Sequence, residues 1–190
     1  IMKCNSDLLT SDPIPETTKE VFTDEEASRL WENQNLPWVD SILFFIYTGF
    51  RISEMLSLRT ANVDLKEWTM RGGVKTEAGK NRLIPVHSKI QGIVQKRFEQ
   101  SKSGYLFEYE GKKVSESKYR EIWADLMGKL QMEHTPHECR HTFRSRLDSA
   151  GANKVCIDRL MGHKSKGTGE RVYTHKNIEE LRMNIELITN

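Results

Sequence analysis

Thr135-Pro136-His137-Glu138-Cys139-Arg140-His141-Thr142-Phe143 is the stretch on which the reading of this 190-residue chain turns. By pattern, His137, Glu138 and His141 match H-E-x-x-H, in which histidines at i and i+4 share a helix face and bind zinc. By position, the same residues open a helix. Thr135 suits the N-cap, Pro136 suits N1 because its missing N–H costs nothing there, and His137 falls at N2. A helix start favours anions through its unpaired N–H groups and its positive dipole end. Arg140, one turn on from His137, offers two parallel donors to phosphate oxygens. The first reading predicts a metallohydrolase and the second a phosphate-handling site.

Working outward, Ser115 to Leu130 is an amphipathic helix with Tyr119, Ile122, Trp123, Leu126 and Leu130 facing a core. The helix opened by Thr135 runs to Ala150 and stops at Gly151, and Asn153 caps another that ends at Met161-Gly162-His163. A polar loop leads through Arg171-Val172-Tyr173-Thr174-His175 to a last amphipathic helix carrying Ile178, Leu181 and Ile185. Nearer the start, Thr23 to Glu26 is a capping box for a helix to about Glu32, and Val39 to Tyr47 is nearly continuously apolar, as in a buried helix. Thr48-Gly49 ends it, so Arg51 falls at a junction before the amphipathic segment Ile52 to Leu58. From Trp68 to Val86, short runs separated by Gly-rich turns predict a small antiparallel sheet with Lys75 at a strand end. Ser88 to Gln100 returns to helical periodicity, and Tyr105 to Lys113 reads as a turn region. The predicted class is α+β, mainly α-helical with a small antiparallel β-sheet. Residues 1–20 form a linker or lead-in, 21–176 one catalytic domain and 177–190 a C-terminal helix; the opening Ile-Met-Lys reads as a chain that begins mid-protein.

The longest apolar run, Ile42 to Tyr47, is too short to span a bilayer. Three widely spaced cysteines, Cys4, Cys139 and Cys156, argue against a disulfide framework and fit a reducing compartment. The net charge of +2 hides a division: residues 1–40 carry a net −6, which leaves +8 for residues 41–190. So basic a body suits an anionic partner, nucleic acid being the commonest.

Five of the six histidines lie between His134 and His175, among many lysines and arginines. Phosphoryl transfer gives that concentration a reason, because its transition state spreads negative charge over nonbridging oxygens. Arg51 and Arg140 can clamp those oxygens, His137 and His163 can shuttle protons, Lys75 can protonate a leaving oxygen and Tyr173 can be the nucleophile. A phenol, with a reference pKa of about 10, needs a nearby base and cations to act.

Five segments in order resemble the successive boxes of the tyrosine recombinases, the phage and conjugative-transposon integrases. They are Thr48-Gly49-Phe50-Arg51-Ile52-Ser53-Glu54, Lys75 followed by Arg82-Leu83-Ile84-Pro85, His137 to Phe143, Met161-Gly162-His163, and Arg171 to His175. The resemblance covers roughly residues 20 to 185 and implies that family's catalytic-domain fold. It implies that Tyr173 attacks the scissile phosphate to form a 3′-phosphotyrosyl link, and that Arg51, Arg140 and His163 stabilise the transition state. Lys75 would be the general acid and His137 would assist proton transfer. Glu54 would support the site, with His141 a supporting or packing residue, and no metal or cofactor is implied. The implied partner is double-stranded DNA in the bacterial cytoplasm. On paired sites the full-length protein would be a homotetramer, with an accessory DNA-bending or directionality factor, and the C-terminal helix would pack in cis or on a neighbouring subunit. Against this, the zinc reading leaves Arg51, Lys75, His163 and Tyr173 without roles. A DNA-binding domain without activity and a topoisomerase-like nicking enzyme are the other readings.

Overall fold

The computed structural model describes residues 20–73, 81–163 and 178–189. Among these residues the helices are α1 (Asp24–Glu32), α2 (Val39–Thr48), α3 (Ile52–Ser57), α4 (Gln91–Gln100), α5 (Glu116–Leu130), α6 (Pro136–Ser149), α7 (Lys154–Met161) and α8 (Ile178–Ile185). Strands β1 (Val63–Asp64), β2 (Thr69–Gly72) and β3 (Arg82–Pro85) lie side by side in one antiparallel sheet, and β4 (Glu108–Tyr109) pairs with β5 (Lys112–Lys113) in another. The observed class is the one the sequence predicts. Two details differ. The stretch read as a turn region contains the β4–β5 hairpin, whose two-residue turn places Glu110 at φ 52° and Gly111 at φ 71°, the left-handed pair that matches strand twist. Ser88–Ile90 is a 3-10 turn before α4, because the His87 side chain accepts the Lys89 N–H (3.0 Å) and tightens the start.

Helix α2 is the centre of the molecule. Every residue from Ser41 to Thr48 is buried, so it is apolar on all sides and its few polar groups need partners inside. Three have them: Ser41 Oγ lies 2.8 Å from the Tyr119 hydroxyl, Thr48 Oγ1 donates to Phe44 O (2.7 Å), and Asp40 accepts two bonds from Arg97 (2.6 and 2.7 Å), whereas the buried Tyr47 hydroxyl finds no hydrogen-bond partner among the described residues.

Against α2 packs α6, and the approach is set by one residue. Gly49 ends α2 at φ 63°, and a Cβ built on it would stand 2.4 Å from Phe143 Cδ1. Only glycine serves both needs. The buried Phe143 ring locks the first turns of α6 against the α2–α3 junction, a contact whose loss costs about 3–5 kcal/mol in a typical core.

The starts of α1 and α6 are joined by a residue that sequence analysis gave no role. In α1, Thr23 Oγ1 accepts the Glu26 N–H (3.1 Å) while Glu26 Oε2 accepts the Thr23 N–H (2.9 Å). In α6, Glu138 Oε2 accepts the Thr135 N–H (2.9 Å). His134 sits between the two carboxylates, Nδ1 3.0 Å from Glu138 Oε2 and Nε2 3.0 Å from Glu26 Oε2, with its ring stacked on Phe22 (3.9 Å between centroids).

At the far end, α8 packs on β3 and α7 of its own chain. Residues 87–89 grip the turn that follows it. His87 Nδ1 accepts the Lys89 N–H, so Nε2 carries the proton and donates to Ile188 O (2.9 Å). Ser88 N–H and Oγ–H donate to Glu186 (2.7 and 2.6 Å), and Lys89 Nζ donates to Thr189 O.

Candidate active site

Three elements that end close together build the site: the α2–α3 junction, the first turns of α6 and the carboxyl end of α7. Arg51 is the N-cap of α3, in extended backbone. An arginine has no acceptor with which to cap a helix, so Glu54 does the work from the other side: its Oε2 accepts the Arg51 N–H (2.9 Å) and its Oε1 lies 3.3 Å from Arg51 Nη1. One carboxylate thereby fixes both the backbone and the guanidinium of Arg51.

Arg140 rises from α6 into the gap between the other two elements. Its Nη1 donates to Gly49 O and its Nη2 to Met161 O, and Nη2 also lies 3.1 Å from His163 Nε2. The side chain is buried, 3% exposed. Burial, aided by the neighbouring Arg51 charge and opposed by Glu54, pushes its pKa down to about 9, which leaves it cationic at neutral pH.

His163 follows the left-handed cap Gly162 (φ 66°), which turns the chain sharply at the end of α7. With Arg140 donating to Nε2, that nitrogen is the acceptor, and the proton rests on Nδ1, 3.8 Å from Asp158 Oδ1. Burial, then the Arg140 charge, hold His163 below the ordinary imidazole value, with Asp158 opposing. Burial alone would raise the Glu54 pKa. Two bonds from Arg82, the Arg82 charge, the Arg51 amide and Arg140 more than offset it, and the carboxyl stays below the usual range.

His137, at the second position of α6, is exposed and borders a small pocket with Arg51, Phe50 and Ser53 on one side and Arg120 of α5 on the other. Its ring meets that of His141 edge to face, 4.6 Å between centroids. The two histidines of the zinc pattern are adjacent, as the i, i+4 spacing requires. Glu138, however, turns back to Thr135 and His134 and is spent on the helix start. Among the described residues no group of three or more metal-ligating side chains forms.

The structure therefore brings together Arg51, Glu54, Arg140 and His163, with His137 at the rim of the adjoining pocket and His141 behind it. Lys75 and Tyr173 lie outside the described residues. Arg82 was missed. It opens β3, is buried, and donates to both oxygens of Glu54 (2.8 and 3.1 Å). An arginine heading an otherwise apolar strand, Arg82-Leu83-Ile84-Pro85, was the available signal.

Residues 20–180 match the model of the phage integrase family. The chain is 29% identical over 152 residues to tyrosine recombinase XerC of Thermodesulfovibrio yellowstonii, covering 72% of this chain and 49% of that protein. It is 28% identical over 192 residues to tyrosine recombinase XerA of Pyrococcus furiosus, covering 94% and 65%. Among solved structures it resembles the Tn1549 transposon integrase in complex with circular intermediate DNA, with a TM-score of 0.69 at 24% identity, covering 94% of this chain and 67% of that one. The chain belongs to the phage integrase family, and its fold is that of a tyrosine recombinase catalytic domain. It spans about half to two thirds of the length of these curated relatives.

Proposed function

We propose that this chain is the catalytic domain of a site-specific DNA recombinase, which cleaves and rejoins strands to integrate or excise a mobile element. The observation that carries this reading is the convergence of Arg51, Arg140 and His163 around one face, with Glu54 holding Arg51 from behind. Two guanidiniums and an imidazole match the charge that develops on the nonbridging oxygens of a phosphodiester under attack. Tyr173 Oη bonds to phosphorus, the bond to the 5′ oxygen breaks, and Lys75 supplies the proton that the departing 5′-hydroxyl needs. The phenolic proton leaves through His137, while His163 stays with the arginines as a stabiliser of the phosphate oxygens. The phosphotyrosyl ester stores the energy of the bond broken, so the reverse attack by a 5′-hydroxyl reseals a strand without a nucleotide cofactor.

The substrate is double-stranded DNA, bound in the full-length protein by a homotetramer on paired sites, with accessory factors for bending or direction, in the cytoplasm of a bacterial cell. No helix among the described residues is long and apolar enough to cross a membrane. Residues 21–176 are the catalytic unit, and 177–190 carry the C-terminal helix, which packs on β3 and α7 of its own chain here and which a tetramer would exchange between subunits.

The test uses nicked duplexes from which the 5′-hydroxyl fragment diffuses away after cleavage, with EDTA present. A denaturation-resistant protein–DNA band that maps to Tyr173 is expected. Tyr173→Phe should abolish it while DNA affinity stays within a few fold, and a band that survives this substitution would remove Tyr173 from its role.

A further inference from the structure

Arg82 has no part in the scheme above, yet it is one of three guanidiniums gathered around a single buried carboxylate. Arg51 and Arg82 both bond Glu54, and Arg140 lies close enough to lower its pKa. The three differ in what else they do. Arg51 is the most open, its side chain 26% exposed, whereas the side chain of Arg82 is 6% exposed and that of Glu54 1%. Arg82 Nε donates to Leu160 O (3.2 Å), one residue before the carbonyl that Arg140 takes, and its guanidinium lies over the Phe50 ring (5.1 Å). Phe50 reaches there because position 72 is glycine: a Cβ on Gly72 would stand 2.6 Å from Phe50 Cζ.

We infer that Arg82 is a positioning residue for the cleavage reaction: it engages both oxygens of Glu54, which orients Arg51, and it ties the end of α7, which carries His163, to the same carboxylate. This rests on the reading of Arg51 and His163 as catalytic. Three cations around one anion leave a surplus of positive charge. The bidentate Arg82–Glu54 pair takes up the anion on the buried side, so Arg51 keeps its open side toward an incoming phosphate. Without Arg82 the Glu54 carboxylate would be left buried with weaker compensation. It would then be drawn onto Arg51 and Arg140 or be protonated, and either change shifts the Arg51 amide and guanidinium out of register.

The experiment compares the wild-type chain with Arg82→Lys, Arg82→Gln, Glu54→Gln and the double Glu54→Gln/Arg82→Gln variant. Two measurements are made: single-turnover cleavage of the nicked duplex across pH, and hydrogen exchange at the Arg51 amide. Arg82→Gln should cleave about tenfold to a hundredfold more slowly, with DNA affinity nearly unchanged, the loss expected from a misplaced catalytic group. Its rate should also fall toward acid pH where the wild-type rate is flat, and that limb should vanish in the double variant, which has no carboxyl left to protonate. The Arg51 amide should exchange faster in Arg82→Lys and Arg82→Gln. If Arg82 serves stability alone, melting temperatures fall while the pH profile and Arg51 exchange keep their wild-type form, and the inference is overturned. Should Arg82→Gln fail to fold, Arg82→Lys carries the test, because it keeps the charge and loses the fork. Should the wild type form no adduct, the proposed function fails. Arg51 exchange then decides this inference by itself: faster exchange in Arg82→Lys supports it and unchanged exchange refutes it.

Discussion

Arg140 makes three contacts that together define the site, to Gly49 O, Met161 O and His163 Nε2. Arg140→Ala removes a transition-state charge and also releases the α2–α3 junction from the end of α7. Loss of one such donor costs about 2.7–4 kcal/mol of activation free energy, so cleavage should slow by about a hundredfold or more in a single-turnover assay. An undiminished rate would end its assignment. Gly49→Ala should destabilise the fold by at least about 2 kcal/mol in urea unfolding, because the left-handed backbone and the Phe143 ring both oppose a side chain. What the sequence disclosed at this scale depended on distance along the chain. The places of Arg51, Arg140 and His163 were legible because each sits in a local signature, a helix junction, a helix start or a glycine cap, whereas the roles proposed for them came from the resemblance of five ordered segments to a family. The role of Arg82 was not, since its partner Glu54 is 28 positions away, and neither was that of His134, 108 positions from Glu26.

At the scale of elements, two helix starts share one histidine. His134→Ala leaves Glu26 and Glu138 each short of a bond, and should cost about 2 kcal/mol in denaturant unfolding. The effect should be less than additive with Glu26→Ala, since both variants break the same link. Burial works to raise the Glu26 pKa, but the Thr23 amide and His134 hold it below the ordinary value. A carboxyl with a depressed folded pKa stabilises above its unfolded value of about 4.3 and loses that stabilisation as pH falls through the folded one. Acid unfolding of the wild type should therefore be steeper below pH about 4.3 than that of Glu26→Gln, and curves of equal slope would contradict the bridge. The helices themselves were readable from apolar period and caps. The β4–β5 hairpin was not, because two-residue strands leave no alternation to detect.

For the whole molecule, the grip of residues 87–89 on residues 186–189 closes the described chain upon itself. His87 is buried, which lowers its pKa, while Glu186 3.7 Å away opposes and Lys89 adds to the lowering. Because the folded pKa lies below the unfolded value of about 6.5, His87 favours the folded state fully above that pH and progressively less beneath it. Protonation also removes the lone pair that accepts the Lys89 N–H. Amide protection at Ile185–Thr189 should thus fall before that of α2 as pH drops from about 6.5, and a His87→Asn variant should lose that pH dependence. Simultaneous loss at both places would mean the tail is no separate unit.

The burial of α2 against α6 also has a meaning during synthesis. About 90 residues separate the end of α2 from the start of α6, and at the usual 5–20 residues per second the ribosome needs on the order of 5–20 s to deliver the second after the first. For that interval the most apolar helix of the chain waits with one flank unclothed. Phe107 and Tyr119 arrive earlier and meet the rings of Phe44 and Phe45. The nascent chain is therefore a client for whatever holds exposed hydrophobic segments at the ribosome exit, until Phe143 settles against Gly49.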